Sequence, residues 1–342
     1  MIKIVATTLI VVFVVFCFCC LVPTLSSETP QEQLFRCVLD FWHVETFEGG
    51  SSSRKNWLNS VARQFEKANK GVYVCVTSYT YQQAIDKLNA GERFDVISFS
   101  VGTGNAILPY LSPLEVATQH VLDAFLDAGK VANTQYALAY STGFYALFAR
   151  QKHLDSLGVT DLSSNVQNCS IKVKIGKNNI MLDSFGCGFG SFNNPLLALD
   201  SNVSVTRTLT QYQAYEQFVG DKSFVVLLGT QRDAYRLSNK ISQGKIDNLA
   251  FCALEGYTDL AQYLGIGNTA GEKTIYCRKL VEHITSEQCQ MDLCNVYLLS
   301  PTDLPVYTDG WMKQAQDCLP KLSTPNAFVD AMLLANGGYY AD

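Results

Sequence analysis

The chain has 342 residues, of which 48% are hydrophobic and 17% charged, with a net charge of −5. That is too many residues for one small core and about right for two lobes. The charges are spread without long runs, which argues against nucleic acid as the partner, because phosphate binding needs a basic face.

Residues 1–30 stand apart. Lys3 is followed by an apolar run from Ile4 to Val22, then Pro23 and a Ser/Thr-rich stretch. This reads as a signal peptide or a retained membrane anchor. The run approaches the ~20 residues that a spanning helix needs, so length does not decide between them. Thr24 and Ser26 offer small residues at −3 and −1 for cleavage after Ser26. Either reading exports the chain to the outer face of the cytoplasmic membrane.

From Val38 to Ser100 the pattern is strand, helix, strand, helix, strand. Val38–Trp42 is a short apolar run. Trp57, Leu58, Val61, Ala62 and Phe65 recur at helical spacing after the cap candidates Ser51, Ser52 and Ser53. Gly71 falls where a left-handed cap would close that helix. Val72, Val74 and Val76 alternate with Tyr73, Cys75 and Thr77 at a strand period. Ala84, Ile85 and Leu88 mark a second helix, stopped at Gly91, and Phe94–Ser98 is a third strand. Strands separated by such helices join a parallel sheet through crossovers. Ligands of open α/β sheets bind outside the carboxyl ends of the strands. Here those ends carry Trp42, His43 and Glu45 in one loop, and Ser100 and Gly102 in the other.

Residues 112–132 predict an amphipathic helix, with Leu114, Val121, Leu122, Phe125 and Leu126 inward. Two strand-like runs flank Ser141-Thr142-Gly143, with Tyr140 at the opening between the lobes. Further on, Lys152–Leu157 and Leu209–Val219 predict helices, and Ile180–Leu182, Ser223–Leu228, Leu249–Leu254 and Ala261–Ile266 predict strands. Thr269–Ile284 predicts another helix, and Thr324-Pro325 opens a last one. After Leu228 comes Gly229-Thr230-Gln231-Arg232-Asp233 and a helical pattern. Thr230 can cap that helix, whose free N–H groups would face the crevice. Arg232 has a rival role in an ion pair with an acid such as Asp233.

Of the 12 Cys, nine lie beyond residue 30, and none forms a CxxC pair. Buried free thiols and one or two disulfides are both open readings. Gly186-Cys187-Gly188-Phe189-Gly190 lacks the spacing and the βαβ context of a dinucleotide site. No H-E-x-x-H, G-x-S-x-G or P-loop occurs, so no cofactor is expected and no catalytic set can be filled. His43 beside Glu45 reads as loop hydrogen bonding ahead of an acid/base pair.

FWHVETFEGGSSSRKNWLNSVARQFEKANKGVYVCV resembles the start of an extracellular solute-binding protein of the sugar-transporting ABC type. Phe65-Glu66-Lys67-Ala68-Asn69-Lys70-Gly71-Val72 matches a landmark phrase of that family, with Lys70 in place of the usual proline. Phe94-Asp95-Val96-Ile97, Tyr140-Ser141-Thr142-Gly143-Phe144-Tyr145-Ala146-Leu147-Phe148 and Leu227-Leu228-Gly229-Thr230-Gln231-Arg232-Asp233 resemble further ones. The resemblance covers Val38 to Ala335. It implies an α/β, two-lobed periplasmic-binding-protein-like fold of type II, each lobe an open sheet flanked by helices. The first lobe would be 36–141 with 256–301, and the second 142–255 with 302–342. It also implies a monomeric receptor and a small hydrophilic ligand, a sugar or oligosaccharide, passed to a membrane ABC permease. A sensing receptor docked on a membrane protein is the alternative, and an exported hydrolase a weaker one. Gram-positive relatives are lipoproteins, but Phe16, Phe18 and Cys19 stand where a lipidation motif has small residues before Cys17, Cys19 and Cys20. Trp42, His43, Glu45, Ser100, Gly102 and Tyr140 are the expected ligand residues of the first lobe. Thr230, Gln231, Arg232, Tyr257 and Trp311 complete the set.

Overall fold

The computed structural model describes residues 35–116, 120–156, 162, 180–181, 211–221 and 226–328. It opens with β1 (Cys37–Val44), α1 (Arg54–Ala68), β2 (Val72–Tyr79), α2 (Tyr81–Asn89) and β3 (Val96–Ser100). Local chemistry sets these boundaries. Ser53 accepts the Asn56 N–H and caps α1, whose Trp57, Leu58, Val61, Ala62 and Phe65 bury one face. Gly71, at φ +86°, turns the chain from α1 into β2. Thr80 and Gln83 close a reciprocal capping box on α2. β1 then pairs in parallel with both β2 and β3, so α1 and α2 are the crossovers.

The next elements are α3 (Gly104–Ile107), β4 (Leu111–Ser112), α4 (Asp123–Ala128), β5 (Lys130–Val131), β6 (Thr134–Gln135) and β7 (Leu138–Thr142). The helix expected over 112–132 is therefore reduced to α4. Its backbone groups find distant partners instead. The Leu114 N–H donates to Gln135 O at 2.7 Å, and the Leu122 N–H donates to Pro301 O at 3.0 Å. Amphipathic spacing cannot reveal such partners.

The chain continues through β8 (Tyr145–Arg150), α5 (Gln151–Ser156), β9 (Ile180–Met181), α6 (Gln211–Gly220), β10 (Val226–Thr230), α7 (Gln231–Ser242) and β11 (Leu249–Ala253). It closes with β12 (Gly256–Tyr257), β13 (Ala261–Gly267), α8 (Glu272–Ile284), α9 (Glu287–Met291), α10 (Gly310–Cys318) and β14 (Leu322–Ser323). The stretch Gly186–Gly190 lies outside the described residues, as does most of the expected last helix; Thr324–Phe328 is not helical.

Two main sheets result. The first runs β2-β1-β3-β13-β4, with β7 also on β13; the second runs β11-β8-β10-β9. β13 is antiparallel to β3, β4 and β7 and fills the centre of the first sheet. β8 is antiparallel to both β10 and β11. Leu39, Phe41, Trp57, Phe65 and Leu280 pack on one face of the first sheet, and Trp42, Ile97, Phe99, Phe125 and Tyr263 on the other. In the second lobe Phe148, Leu227, Phe218, Leu237 and Met312 form the layer under α6, α7 and α10.

The chain passes from β7 to β8 through Gly143-Phe144, and from β11 back to β13 through 254–260. A third passage follows Leu299, which bridges to Thr142, and leads to α10. The carboxyl ends of β1, β3 and β10 thereby meet. Seven of the described cysteines, Cys37, Cys75, Cys252, Cys277, Cys289, Cys294 and Cys318, are free thiols.

Candidate functional site

The loop between β1 and α1 is the centre of the junction. Glu48 accepts the backbone N–H of Arg54 at 2.9 Å, at the positive end of α1. Burial raises the Glu48 carboxyl above its ordinary value, and the Arg54 charge pulls it back. Arg54 is fully buried, although it begins a helix on a polar loop. Its Nη2 donates to the Phe47 carbonyl, and its guanidinium lies 4.4 Å from the Phe47 ring centroid. Its Nε and Nη1 have no hydrogen-bond partner.

Beneath the loop lies a buried polar network from four strands. His43 Nδ1 is 3.0 Å from Ser98 Oγ, which is 2.8 Å from the Tyr140 hydroxyl. Gln262 Nε2 donates to Ser98 Oγ at 2.9 Å and to Val44 O at 3.3 Å, while its Oε1 accepts from Thr46 Oγ1 at 2.7 Å. Trp57 stacks on Tyr140 with centroids 5.8 Å apart. Burial holds His43 neutral, with Arg54 and Lys55 acting the same way, and pushes Tyr140 up to about 12. Ser98 Oγ therefore serves three side chains in a closed core, which leaves no approach for a substrate. A nucleophile needs both a free base and access.

The second lobe meets this loop through Gln231. Its Nε2 donates to Glu48 O at 3.2 Å, and its Oε1 accepts the Phe144 N–H at 3.3 Å. A Cβ on Gly143 would push the Gln231 amide out of its present position. Gly50 faces Tyr235 and the Arg232 stem. Asp233 accepts the Thr230 N–H at 3.0 Å and so fixes the turn. Its ion-pair partner is Arg236, at 3.8 Å. Asp259, on the return passage, is fully enclosed and receives the Tyr145 hydroxyl; burial lifts its carboxyl to about 6.

The expected ligand residues divide accordingly. Glu45, Arg232 and Trp311 keep exposed or half-exposed surface. Thr230 and Gln231 are fully buried at the junction of the lobes. Trp42 is not placed at an opening: it is buried against Tyr79, at 5.1 Å, and Phe94, at 5.6 Å. Tyr140 likewise sits inside the first lobe, because Trp57 covers it. His43 and Ser100 are fully buried, and Gly102, at φ +88°, shapes the turn after β3. Tyr257 is buried beside Asp259, its hydroxyl 3.4 Å from the carboxylate. Trp311 stacks on Phe251, with centroids 5.3 Å apart. Thr46, Glu48, Arg54 and Gln262 were missed. A carboxylate six residues before the first residue of a polar-capped helix was the one local signal available for Glu48.

Solved structures share this fold. The sugar-binding protein MalE from Xanthomonas citri is similar over 84% of this chain and 87% of its own, with a TM-score of 0.62 and 15% identity. MalE from Listeria monocytogenes, in complex with maltose, is similar over 86% and 88%, with a TM-score of 0.60 and 13% identity. The galacto-N-biose-/lacto-N-biose I-binding protein of an ABC transporter from Bifidobacterium longum, in complex with lacto-N-biose, gives 0.58 and 12% over 85% and 88%. The chain has the two-lobed fold of the MalE-type sugar-binding proteins. Neither a family model nor a curated protein sequence matches it. The likeness is therefore one of architecture. Among the described residues no helix is long and apolar enough to cross a membrane.

Proposed function

We propose that this protein is an exported solute-binding receptor. It takes a sugar or oligosaccharide between its lobes and delivers it to an ABC importer at the membrane. The observation that carries this reading is the meeting of Gln231 with the Glu48 loop, at the carboxyl ends of strands from both lobes. Such a junction can open by hinge motion and close on a solute. Glu45, Glu48, Arg232 and Gln231 supply donors and acceptors there, and Arg54 holds two unpartnered nitrogens, Nε and Nη1, behind the loop. Uncharged hydroxyls suit that mixture of polar groups. Amino-terminal residues 1–30 would export the chain, as a cleaved signal, a lipid-bearing leader or a retained anchor. The receptor would act as a monomer.

Thermal shift over a library of sugars, amino acids, polyamines and metals tests the reading. Stabilisation of about 2.7 kcal/mol is expected at a hundredfold excess of a true ligand over its dissociation constant. Shifts with metals or amino acids alone would remove the sugar assignment.

A further inference from the structure

A cavity lies beside the junction of the lobes, reached from it through Tyr297, whose carbonyl packs on Gly49 of the Glu48 loop. It has a volume of about 500 Å³ and opens between α7 and α10 on the flank of the second lobe. That volume is within the ~300–1,000 Å³ of small-molecule sites. Its walls come from α7, Asn248 and Leu249, Tyr297, Tyr307 and the start of α10, with no residue of the Glu48 loop. Tyr297, Tyr307 and Trp311 supply aromatic surface; Ser242, Asn248 and Asp309 supply polar groups.

Several of these residues are held in place by their neighbours. Tyr297 has φ +59° and ψ +43°, a left-handed conformation unfavourable for an aromatic residue. It is fixed there by Tyr235, at 5.2 Å, and Tyr307, at 6.4 Å. Tyr307 donates its hydroxyl to Leu298 O at 3.0 Å, so its ring cannot swing into the space. Trp311 is braced by Phe251 and by Phe148, 5.4 Å away. Asp309 stands at the cap position of α10, but its side chain makes no capping bond. Ser242 Oγ donates to Asn239 O and keeps its lone pairs for an incoming donor.

We infer that this cavity is a second saccharide site, beside the junction but built from residues other than Gln231 and the Glu48 loop. Rigid aromatic walls match the apolar faces of a sugar ring. The Asp309 carboxylate, Asn248 amide and Ser242 hydroxyl match its rim of hydroxyls. The ligand class rests on the sugar reading above; the location does not. Tyr297 also joins the cavity to the junction, since Tyr235 packs on Gly50 of the Glu48 loop.

The test is fluorine NMR on protein carrying 5-fluorotryptophan, titrated with maltotriose. Three resonances arise, from Trp42, Trp57 and Trp311. Trp42 and Trp57 are each 5% exposed in the first lobe, so only Trp311 lines the cavity. The Trp311 signal should shift with its own saturation curve and should still do so in Gln231→Ala. In Ser242→Phe, which fills the cavity, that affinity should fall at least tenfold while the thermal shift from the junction is retained. A Trp311 shift that survives Ser242→Phe unchanged, or a silent Trp311 beside a positive thermal shift, overturns the second site and leaves the junction reading intact. A Trp311 response lost in Ser242→Phe, with no effect of Gln231→Ala on any binding, supports the cavity and removes the junction.

Discussion

At the scale of single residues, Gln231 and Asp259 have measurable roles. Gln231 joins the Glu48 carbonyl of one lobe to the Phe144 amide of the other, and no water-exposed surface remains on it. Gln231→Ala should weaken ligand binding by about 1–3 kcal/mol, the cost of leaving buried polar partners unmet. Calorimetry checks it, and unchanged affinity would place the ligand elsewhere. Asp259 makes a different prediction. Its folded value of about 6 exceeds the ordinary aspartate value of 3.8, so the folded state binds the proton more tightly than the unfolded chain. Its contribution is therefore fully present below about pH 4 and is lost as pH rises through about 6, amounting to about 3 kcal/mol. His43 acts in the opposite sense. Held neutral when folded, it contributes stability above about pH 6.5 that is lost as pH falls and the unfolded chain takes up the proton. Urea unfolding from pH 4 to 8 should show an acid-side loss that is steeper in Asp259→Asn than in the wild type. Identical profiles would mean that Asp259 titrates normally.

At the scale of elements, the connection between β1 and α1 behaves as a packed part of the core. Ser51 Oγ donates to Asn295 O at 2.8 Å, and a Cβ on Gly49 would overlap the carbonyl oxygens of Val296 and Tyr297. Backbone cannot yield there as a flexible side chain could. Gly49→Ala should cost about 1–3 kcal/mol by overpacking. Denaturant unfolding measures it, and a neutral result would show that the loop stands clear of residues 295–297. The contrast with Gly91 is instructive, because a Cβ there meets nothing within 4 Å. Gly91→Ala would suffer only from its positive φ of +89°.

At the scale of the whole molecule, two sheets joined by three passages meet at the Glu48 loop, through the Gln231 hydrogen bond and the packing of Tyr235 on Gly50. Replacing the Gln231 contact should shift the ligand-free ensemble toward separated lobes. Small-angle scattering should give Gln231→Ala a larger radius of gyration than the wild type, with saturating ligand drawing the wild type no further apart. Equal radii for both proteins, with and without ligand, would mean that the lobes do not move about this contact.

The sequence by itself determined the first half of the first lobe. Alternation in β2, helical spacing in α1 and the cap candidate Ser53 are short-range signals, and each formed the element it predicted. Gly71 and Thr230 marked turns for reasons that belong to their own backbone. What surrounds a residue was decided elsewhere. Trp42 ends a strand pattern whether it faces a ligand or a core; Tyr79 and Phe94 put it in the core. Arg54 opens α1 behind a polar loop, and the Glu48 loop folds over it and buries it. The network of His43, Ser98, Tyr140 and Gln262 gathers strands separated by up to 219 positions along the chain, from residue 43 to residue 262. Periodicity and capping act over a few residues. Burial and polar pairing depend on which distant strands come together, and only the tertiary structure supplies that.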